Sequence, residues 1–369
     1  MNKKLIALAV AGASLAPAAM AQTANPVTLY GRIYATFETV EAKGAGTAAA
    51  VPRRNRVSDE SSYLGVRGTE DLGGGLKAFF QLETAFKPDQ NDSAFAARNS
   101  AVGLQGGWGS VLLGRWDSPF KVTTTAVDPF GDLTLGGITA ALNGSGVANQ
   151  NDTLDRRDIN VVQYWSPTWA GLAIRAEYSA NEGKACTTTG TTTTCVNPVK
   201  TSASLTWTRG PIYVGYAWDE QTDTLFGTTL MTKMTGQAVF GSFVIGPIKL
   251  GAIVEDYKKN PASGPSFAKQ KMWAASAVYT IGSHQIMYQH QDAKDGGSQG
   301  TTAAPIQQPN CKVDALAYQY NFSRRTFAIL QYTKIDNSDT ATCNFGSTQL
   351  AISAGQDLTG LMFGLRHIF

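Results

Sequence analysis

Val27-Thr28-Leu29-Tyr30-Gly31-Arg32-Ile33-Tyr34-Ala35-Thr36-Phe37-Glu38 alternates without a break. Val27, Leu29, Gly31, Ile33, Ala35 and Phe37 fall on one face, and Thr28, Tyr30, Arg32, Tyr34, Thr36 and Glu38 on the other. Period two is the signature of a β-strand with one apolar and one polar side. A globular strand averages about five or six residues, whereas a tilted strand needs about nine to eleven to cross a bilayer. This run belongs to the second class. The far end of the chain reads alike: in Gly360-Leu361-Met362-Phe363-Gly364-Leu365-Arg366-His367-Ile368-Phe369 the apolar face is Leu361, Phe363, Leu365 and Phe369. Terminal segments are usually polar and frayed, because ordering them costs entropy with little burial in return. An apolar face that closes on a ring must be paired and buried, or must face lipid.

The pattern recurs near 61–70, 76–87, 97–106, 109–116, 157–166, 171–181 and 201–209. It continues at 211–221, 233–245, 248–258, 271–281, 284–293, 312–321, 325–336 and 357–369, which with 27–40 makes sixteen strands. Connections alternate in length. Short ones such as Asp71-Leu72-Gly73-Gly74-Gly75, Gly246-Pro247 and Ile281-Gly282-Ser283 interleave with long ones at 41–60, 88–96, 117–156, 182–200, 222–232, 259–270, 294–311 and 337–356. A soluble β-sandwich also alternates, but its strands are shorter and its turns do not sort by rim. Rings near strand ends (Trp165, Trp169, Trp218, Trp273, Tyr257, Phe369) fit interfacial girdles. The sequence therefore predicts an all-β fold, a 16-stranded antiparallel transmembrane β-barrel, closed because open edges are intolerable in lipid.

Residues 1–21 read as a signal peptide: Lys3 and Lys4, an apolar stretch from Leu5 to about Ala19, and Ala19-Met20-Ala21 as the cleavage site before Gln22. Residues 22–369 form the barrel domain. Lys and Arg total 31 against 28 Asp and Glu, and two of those lysines lie in the leader. The remainder is near neutral, with no footprint for nucleic acid. Four cysteines in an exported chain allow three pairings. Cys186 and Cys195 bracket a Thr/Gly segment and close it locally, which leaves Cys311 for Cys343. Metal binding is disfavoured, since no CxxC spacing and no neighbouring histidine supports it, and no cofactor is implied.

Several stretches together resemble the Gram-negative general porins along nearly the whole mature length. They are Val27-Thr28-Leu29-Tyr30-Gly31, Tyr63-Leu64-Gly65-Val66-Arg67-Gly68-Thr69-Glu70-Asp71-Leu72-Gly73-Gly74-Gly75-Leu76, Val102-Gly103-Leu104, Leu113-Gly114-Arg115, Gln163-Tyr164-Trp165-Ser166-Pro167 and the Gly364–Phe369 end. The resemblance implies a trimeric, water-filled outer-membrane pore for ions and small hydrophilic solutes. It implies contact with outer-membrane lipid and lipopolysaccharide, and gives Phe369 a second role as a signal read by the barrel-insertion machinery. It also implies that loop 117–156 folds into the barrel as a constriction, bearing Asp117, Asp128, Asp132 and Asp152. The alternative for that loop is an exposed outer excursion.

Facing the loop, a basic wall is expected. Arg32 and Arg67 take the lumen register by their own alternation. Arg98 and Arg157 join them by the resemblance, while Arg115 is ambiguous because Val111-Leu112-Leu113 does not alternate. Tyr63 stands where some porins carry another arginine. Opposed guanidinium and carboxylate rows set ion preference at close quarters, and this balance points to weak anion preference. A substrate-specific channel is the nearest alternative. A surface adhesin, using loops 182–200, 294–311 and 337–356, is a further one. A barrel hydrolase is the last. Only His284, His290 and His367 could serve as its base, and no serine or acid motif is placed to partner them. They read as lumen or turn residues, and the chain reads as a channel, not an enzyme.

Overall fold

A computed structural model describes residues 27–44, 50–90, 92–131, 134–142, 154–180, 182–189, 192–226, 229–261, 268–296 and 310–369. The leader, Asp132 and Asp152 lie outside the described residues. The barrel staves are β1 (Val27–Gly44), β2 (Val51–Asp59, continuing as Tyr63–Gly73), β3 (Leu76–Lys87) and β4 (Asp92–Ala94, continuing as Ser100–Gly106). Next come β5 (Gly109–Asp117), β6 (Arg157–Trp165), β7 (Leu172–Ser179), β8 (Val199–Arg209), β9 (Ile212–Phe226) and β10 (Thr229–Ile245). The last six are β11 (Ile248–Pro261), β12 (Ala268–Ile281), β13 (His284–Asp295), β14 (Cys311–Asn321), β15 (Thr326–Asn337) and β16 (Gln356–Ile368). Each pairs antiparallel with its neighbours, and β16 returns to β1 from Arg32↔Ile368 to Gly44↔Gln356. The sheet has no free edge, so every stave's backbone groups are satisfied within the wall, as a bilayer demands.

The outward face shows why this wall suits lipid. Along β12 the outward side chains are Ile281, Tyr279, Ala277, Ala275 and Trp273, then Lys271 and Lys269. Ile281 to Trp273 covers about 27 Å of strand, or about 20 Å across the membrane after tilt, comparable with the apolar band of outer-membrane barrels. Val239, Val254 and Leu29 each expose more than half their surface on the same face. Among the described residues no helix is long and apolar enough to span a membrane. Two rings depart from the expected girdle. Tyr257 is buried on the lumen side with its hydroxyl towards the Met234 sulfur, and Trp165 stacks edge-on against Trp116 and donates its Nε1–H to Gln163.

Several staves run past the predicted ends. β9 and β10 extend to Phe226 and from Thr229, and β1 pairs with the upper part of β2 as far as Ala42↔Val51. In these extensions apolar residues fall in adjacent pairs (Leu225-Phe226, Leu230-Met231) or singly among polar ones, so alternation gives no signal there. Within the loop at 182–200, Ala185–Thr189 pairs with Thr192–Val196, and Cys186 faces Cys195 across that hairpin in a disulfide. Cys311 and Cys343 form the second disulfide.

The described part of loop 337–356 is not simply an exposed surface feature. Cys343, Phe345 and Leu350 are buried, and the Gly346 N–H donates to the Leu135 carbonyl inside the barrel. This loop therefore braces the interior through its buried residues, while Asp339, Thr340, Thr348, Gln349 and Ser353 remain at the surface. Replacing Cys311 and Cys343 together by serine should lower the free energy of unfolding by about 3–4 kcal/mol. The check is the urea midpoint of the folded barrel in detergent. An unchanged midpoint would show that packing alone holds the loop.

Candidate functional site: the pore lumen

The segment after β5 enters the barrel. Ser118 caps a short helix, α1 (Pro119–Thr124), by accepting from the Lys121 N–H, with proline in the first turn where its missing N–H costs nothing. From there the loop is stitched to the lumen wall. The Phe120 N–H donates to the Ser202 hydroxyl on β8, and Tyr213 on β9 donates to the Thr123 carbonyl. Lys249 on β11 and Ser276 on β12 donate to the Ala126 and Val127 carbonyls. Gln291 on β13 clamps the far side: its Nε2 donates to the carbonyls of Gly136 and Gly137, and its Oε1 accepts from the Ala141 N–H. Phe120, Val127, Leu135, Ile138, Leu142 and Leu154 are buried under this arch. The loop narrows the pore and carries its own apolar core.

Its return point is an ion cluster. Arg156, fully buried, donates from Nε to Asp158 at 2.6 Å and pairs through Nη1 with Asp219. Lys200 meets Asp158 at 3.1 Å, and Ser118 donates its N–H to the Arg156 carbonyl, tying the loop's two stems together. Burial by itself would favour neutral Arg156, but Asp158 and Asp219 outweigh it and raise its affinity for the proton. No sequence pattern marks this residue, because its partners come from β6 and β9.

The predicted basic wall divides. Arg32 donates from Nε and Nη2 to the Ser61 carbonyl (3.2 and 2.7 Å) and from Nη2 to that of Glu60 (3.2 Å), capping the step where β2 breaks between Asp59 and Tyr63. Arg98 pairs with Glu83 and donates to the Ser61 hydroxyl at 2.7 Å. Arg32 and Arg98 stand over the ring of Tyr63, their Cζ atoms 5.3 and 5.0 Å from its centre. Arg67 stacks on Tyr30 at 4.8 Å and pairs in register with Thr28, while Arg32 pairs with Tyr63. That sets Arg67 about 13 Å along the wall towards the short-turn rim.

Asp117, expected on the acidic loop, is the last residue of β5. It lies directly beside Arg157, 2.9 Å from its Nη2, and Asn99 links the two. Register thus turns a predicted transverse pair into a lateral one. Asp128 does belong to the loop. Its Oδ1 accepts from Phe130 and its Oδ2 from Ile138, which shapes the turn that faces Arg32.

Between that turn and the wall lies a cavity of about 230 Å3, lined among others by Arg32, Tyr34, Asp128, Phe130, Gln285 and Arg366. Arg366 stands over the Phe327 ring at 4.0 Å, and its buried Nε has no hydrogen-bond partner. Alternation marks Arg366 as lumen-facing. Its place beside Arg32 follows only from the β1–β16 seam, which pairs Tyr34 with Arg366.

The histidines lie elsewhere. His290 shares the outward face with Ile286 and Tyr288, sits 5.2 Å from the Trp273 ring centre, and meets Asp314 at 2.8 Å. His284 meets the Tyr318 hydroxyl at the short-turn end of β13. Neither is the lumen base that a barrel hydrolase would use, and His290 is not a lumen residue at all.

Comparison with known proteins agrees with this architecture. Residues 7–340 match the Gram-negative porin family. The chain is 30% identical to outer membrane porin protein 32 of Delftia acidovorans over 376 aligned positions, with the full length of both covered. It is 28% identical to major outer membrane protein P.IB of Neisseria gonorrhoeae, across 89% of this chain and 92% of that one. Among solved structures, the anion-selective porin from Comamonas acidovorans superposes with a TM-score of 0.78 at 25% identity, covering 94% of this chain and all of that one. With a closed sixteen-stave wall, an infolded loop and full-length similarity of this kind, the chain belongs to the Gram-negative porin family of the outer membrane.

Proposed function

We propose that this porin is a general diffusion pore with weak anion preference, narrowest where Asp128–Gly131 faces Arg32 and Arg366. The observation that carries the reading is Arg366: a lumen guanidinium with a buried, unsatisfied Nε beside Arg32. Arg98 and Arg157 also present donors to the lumen, but Glu83 and Asp117 offset their charge. At the narrowest section Arg32 and Arg366 stand against Asp128 and Glu60, so formal charges balance and the net field is modest. Both Asp128 oxygens accept from the loop's own N–H groups and Glu60 is buried, which leaves the two guanidinium groups to favour anions without excluding cations. Similarity to the anion-selective porin from Comamonas acidovorans supports the same sign. Guanidinium groups keep their charge throughout the physiological range, so the preference should not vary near neutral pH.

In this reading the mature chain starts at Gln22 and assembles as a homotrimer. Its subunits meet along the outward face of β1 near Ala35, where there is little side chain in the way; Gly31, the other small residue of that face, is covered by the Phe369 ring. Phe369 serves the insertion machinery, and catalysis has no part. Loss of a fatty-ester hydrolysis on His290→Ala would overturn that last point.

The test is the zero-current potential of refolded protein in a planar bilayer under a potassium chloride gradient. Triplet steps and a potential of anion-selective sign are expected, and Arg366→Gln should move it towards cation preference. Wild-type cation selectivity, or an Arg366→Gln potential equal to wild type, would refute the assignment.

A further inference from the structure

Register builds a row of side chains on the lumen face near the short-turn rim. Gln105 on β4 pairs with Ser110 on β5, Ser110 with Trp165 on β6, Trp165 with Arg175 on β7, and Arg175 with Ser204 on β8. Ser202, two residues along from Ser204, meets the infolded loop, which fixes this face as the inward one. Neighbouring strands lie about 4.8 Å apart, so the row from Gln105 to Arg175 spans about 14 Å.

Most donors in the row are unspent. Arg98, Arg156 and Arg157 each have a carboxylate partner. Arg175 has none. Among the described residues its guanidinium makes no ion pair and no hydrogen bond, and stands only over the Trp165 ring, Cζ 5.2 Å from the centre. It passes over even the Ser204 Oγ beside it, which is buried without a hydrogen-bond partner. The side chains of Gln105 and Ser110 likewise make no hydrogen bond among the described residues. A half-buried guanidinium without a counter-charge favours an anion.

The neighbouring space decides what kind of anion. A cavity of about 380 Å3 opens here, within the span of small-molecule pockets, about 300–1,000 Å3. Gln105, Ser110, Trp165 and Arg175 line it, with Pro167 and Ala173 among others. An inorganic ion or a short carboxylate would meet the guanidinium and leave the apolar lining idle. An uncharged ring would leave the guanidinium unpaired. A carboxylate carried on a flat ring satisfies both, the carboxylate on the planar fork of Arg175 and the ring against the indole.

We propose that Arg175, Trp165, Gln105 and Ser110 form a binding site for small aromatic carboxylates at the inner mouth of the pore, apart from the constriction. Short turns lie on this rim, which faces the periplasm in an outer-membrane barrel. Solute that has passed the constriction is held here before release. The site rests on the chain's being an open pore and is independent of the sign of its ion preference.

Saturation-transfer NMR on the detergent-folded full barrel, with empty micelles as the blank, tests this with benzoate, acetate and benzamide. Benzoate should bind saturably, and the other two at least about tenfold more weakly. Arg175→Gln should weaken benzoate by roughly tenfold to a hundredfold, and Trp165→Leu by about threefold to tenfold. Triplet conductance steps confirm that each variant is folded. Should Arg175→Gln fail that check, Gln105→Leu with Ser110→Ala carries the test. Those side chains hold no hydrogen bond in the fold, and their loss should weaken benzoate by about threefold. The zero-current potential of the same preparations keeps the two readings apart. An anion-selective pore that does not bind benzoate overturns this site alone, whereas a cation-selective wild type that binds it overturns only the ion preference. Equal binding of acetate or benzamide, or benzoate binding unmoved by the substitutions, would also overturn the proposal.

Discussion

Arg156→Leu should unfasten the constriction loop and lower the stability of the barrel by about 3–5 kcal/mol, the loss typical when one member of a buried ion pair is removed. Wild-type Arg156 lies between Asp158 and Asp219, both buried, with Glu177 and Lys200 adjoining. Leucine leaves those carboxylates with Lys200 as the nearest cation of the cluster. Their repulsion falls where the loop leaves the wall, beside the Ser118–Arg156 hydrogen bond. Two readouts should move together. The urea midpoint falls, and single-channel current becomes larger and noisier as the loop departs from the lumen. Adding Asp158→Asn and Asp219→Asn to Arg156→Leu should recover much of the stability, because the penalty comes from unpaired charge. A triple variant no more stable than the single one would mean that Arg156 acts by packing. Unaltered current with a lowered midpoint would mean that the cluster supports the wall and leaves the loop alone.

Whether such features can be read from sequence depends on how local their cause is. Arg32 and Arg67 sit in uninterrupted alternation, so parity alone turns them into the lumen. Arg98 and Arg157 lie next to breaks in that alternation: Ala96 and Asn160 take positive φ values of 52° and 55°, and β5 bulges between Gly114 and Trp116. Counting by twos fails across such points. Asp117 reads as a loop residue if β5 stops at 116. One further residue of pairing sets it beside Arg157, and a cross-pore partner becomes a neighbour. Tyr257 reads as a girdle ring from its place near a strand end, but its odd parity on β11, shared with Ile253 and Glu255, turns it inward. Arg156 and the buried turn at Cys343–Phe345 owe their burial to staves far away in sequence. The sixteen-stave count is legible because it needs only period and turn spacing. The eyelet's electrostatics are only half legible, because they depend on register between strands.

Deleting Phe369 should sharply reduce the amount of folded barrel in the outer membrane while hardly altering the conductance of those barrels that form. Phe369 exchanges a pair of backbone hydrogen bonds with Gly31, at 3.1 and 3.2 Å, and these extend the seam beyond Arg32↔Ile368. Its ring rests where a Gly31 Cβ would stand, within 2.5 Å of that position, so the glycine is the socket for the ring. None of this touches the eyelet. Arg366, Arg32 and the constriction loop keep their partners, and the seam from Arg32↔Ile368 to Gly44↔Gln356 remains whole. What disappears is the apolar end of β16, which we propose is engaged during insertion before the seam has closed. The measurement pairs the yield of heat-modifiable, folded protein in isolated outer membranes with single-channel recordings of the survivors. Gly31→Val supplies the contrast, since it crowds the same socket and leaves the terminal ring available. If the ring is read during insertion, Gly31→Val should insert better than the deletion and show its defect later, as a lower urea midpoint. Normal insertion of the deletion with altered conductance would place Phe369 in the pore's architecture and remove it from assembly.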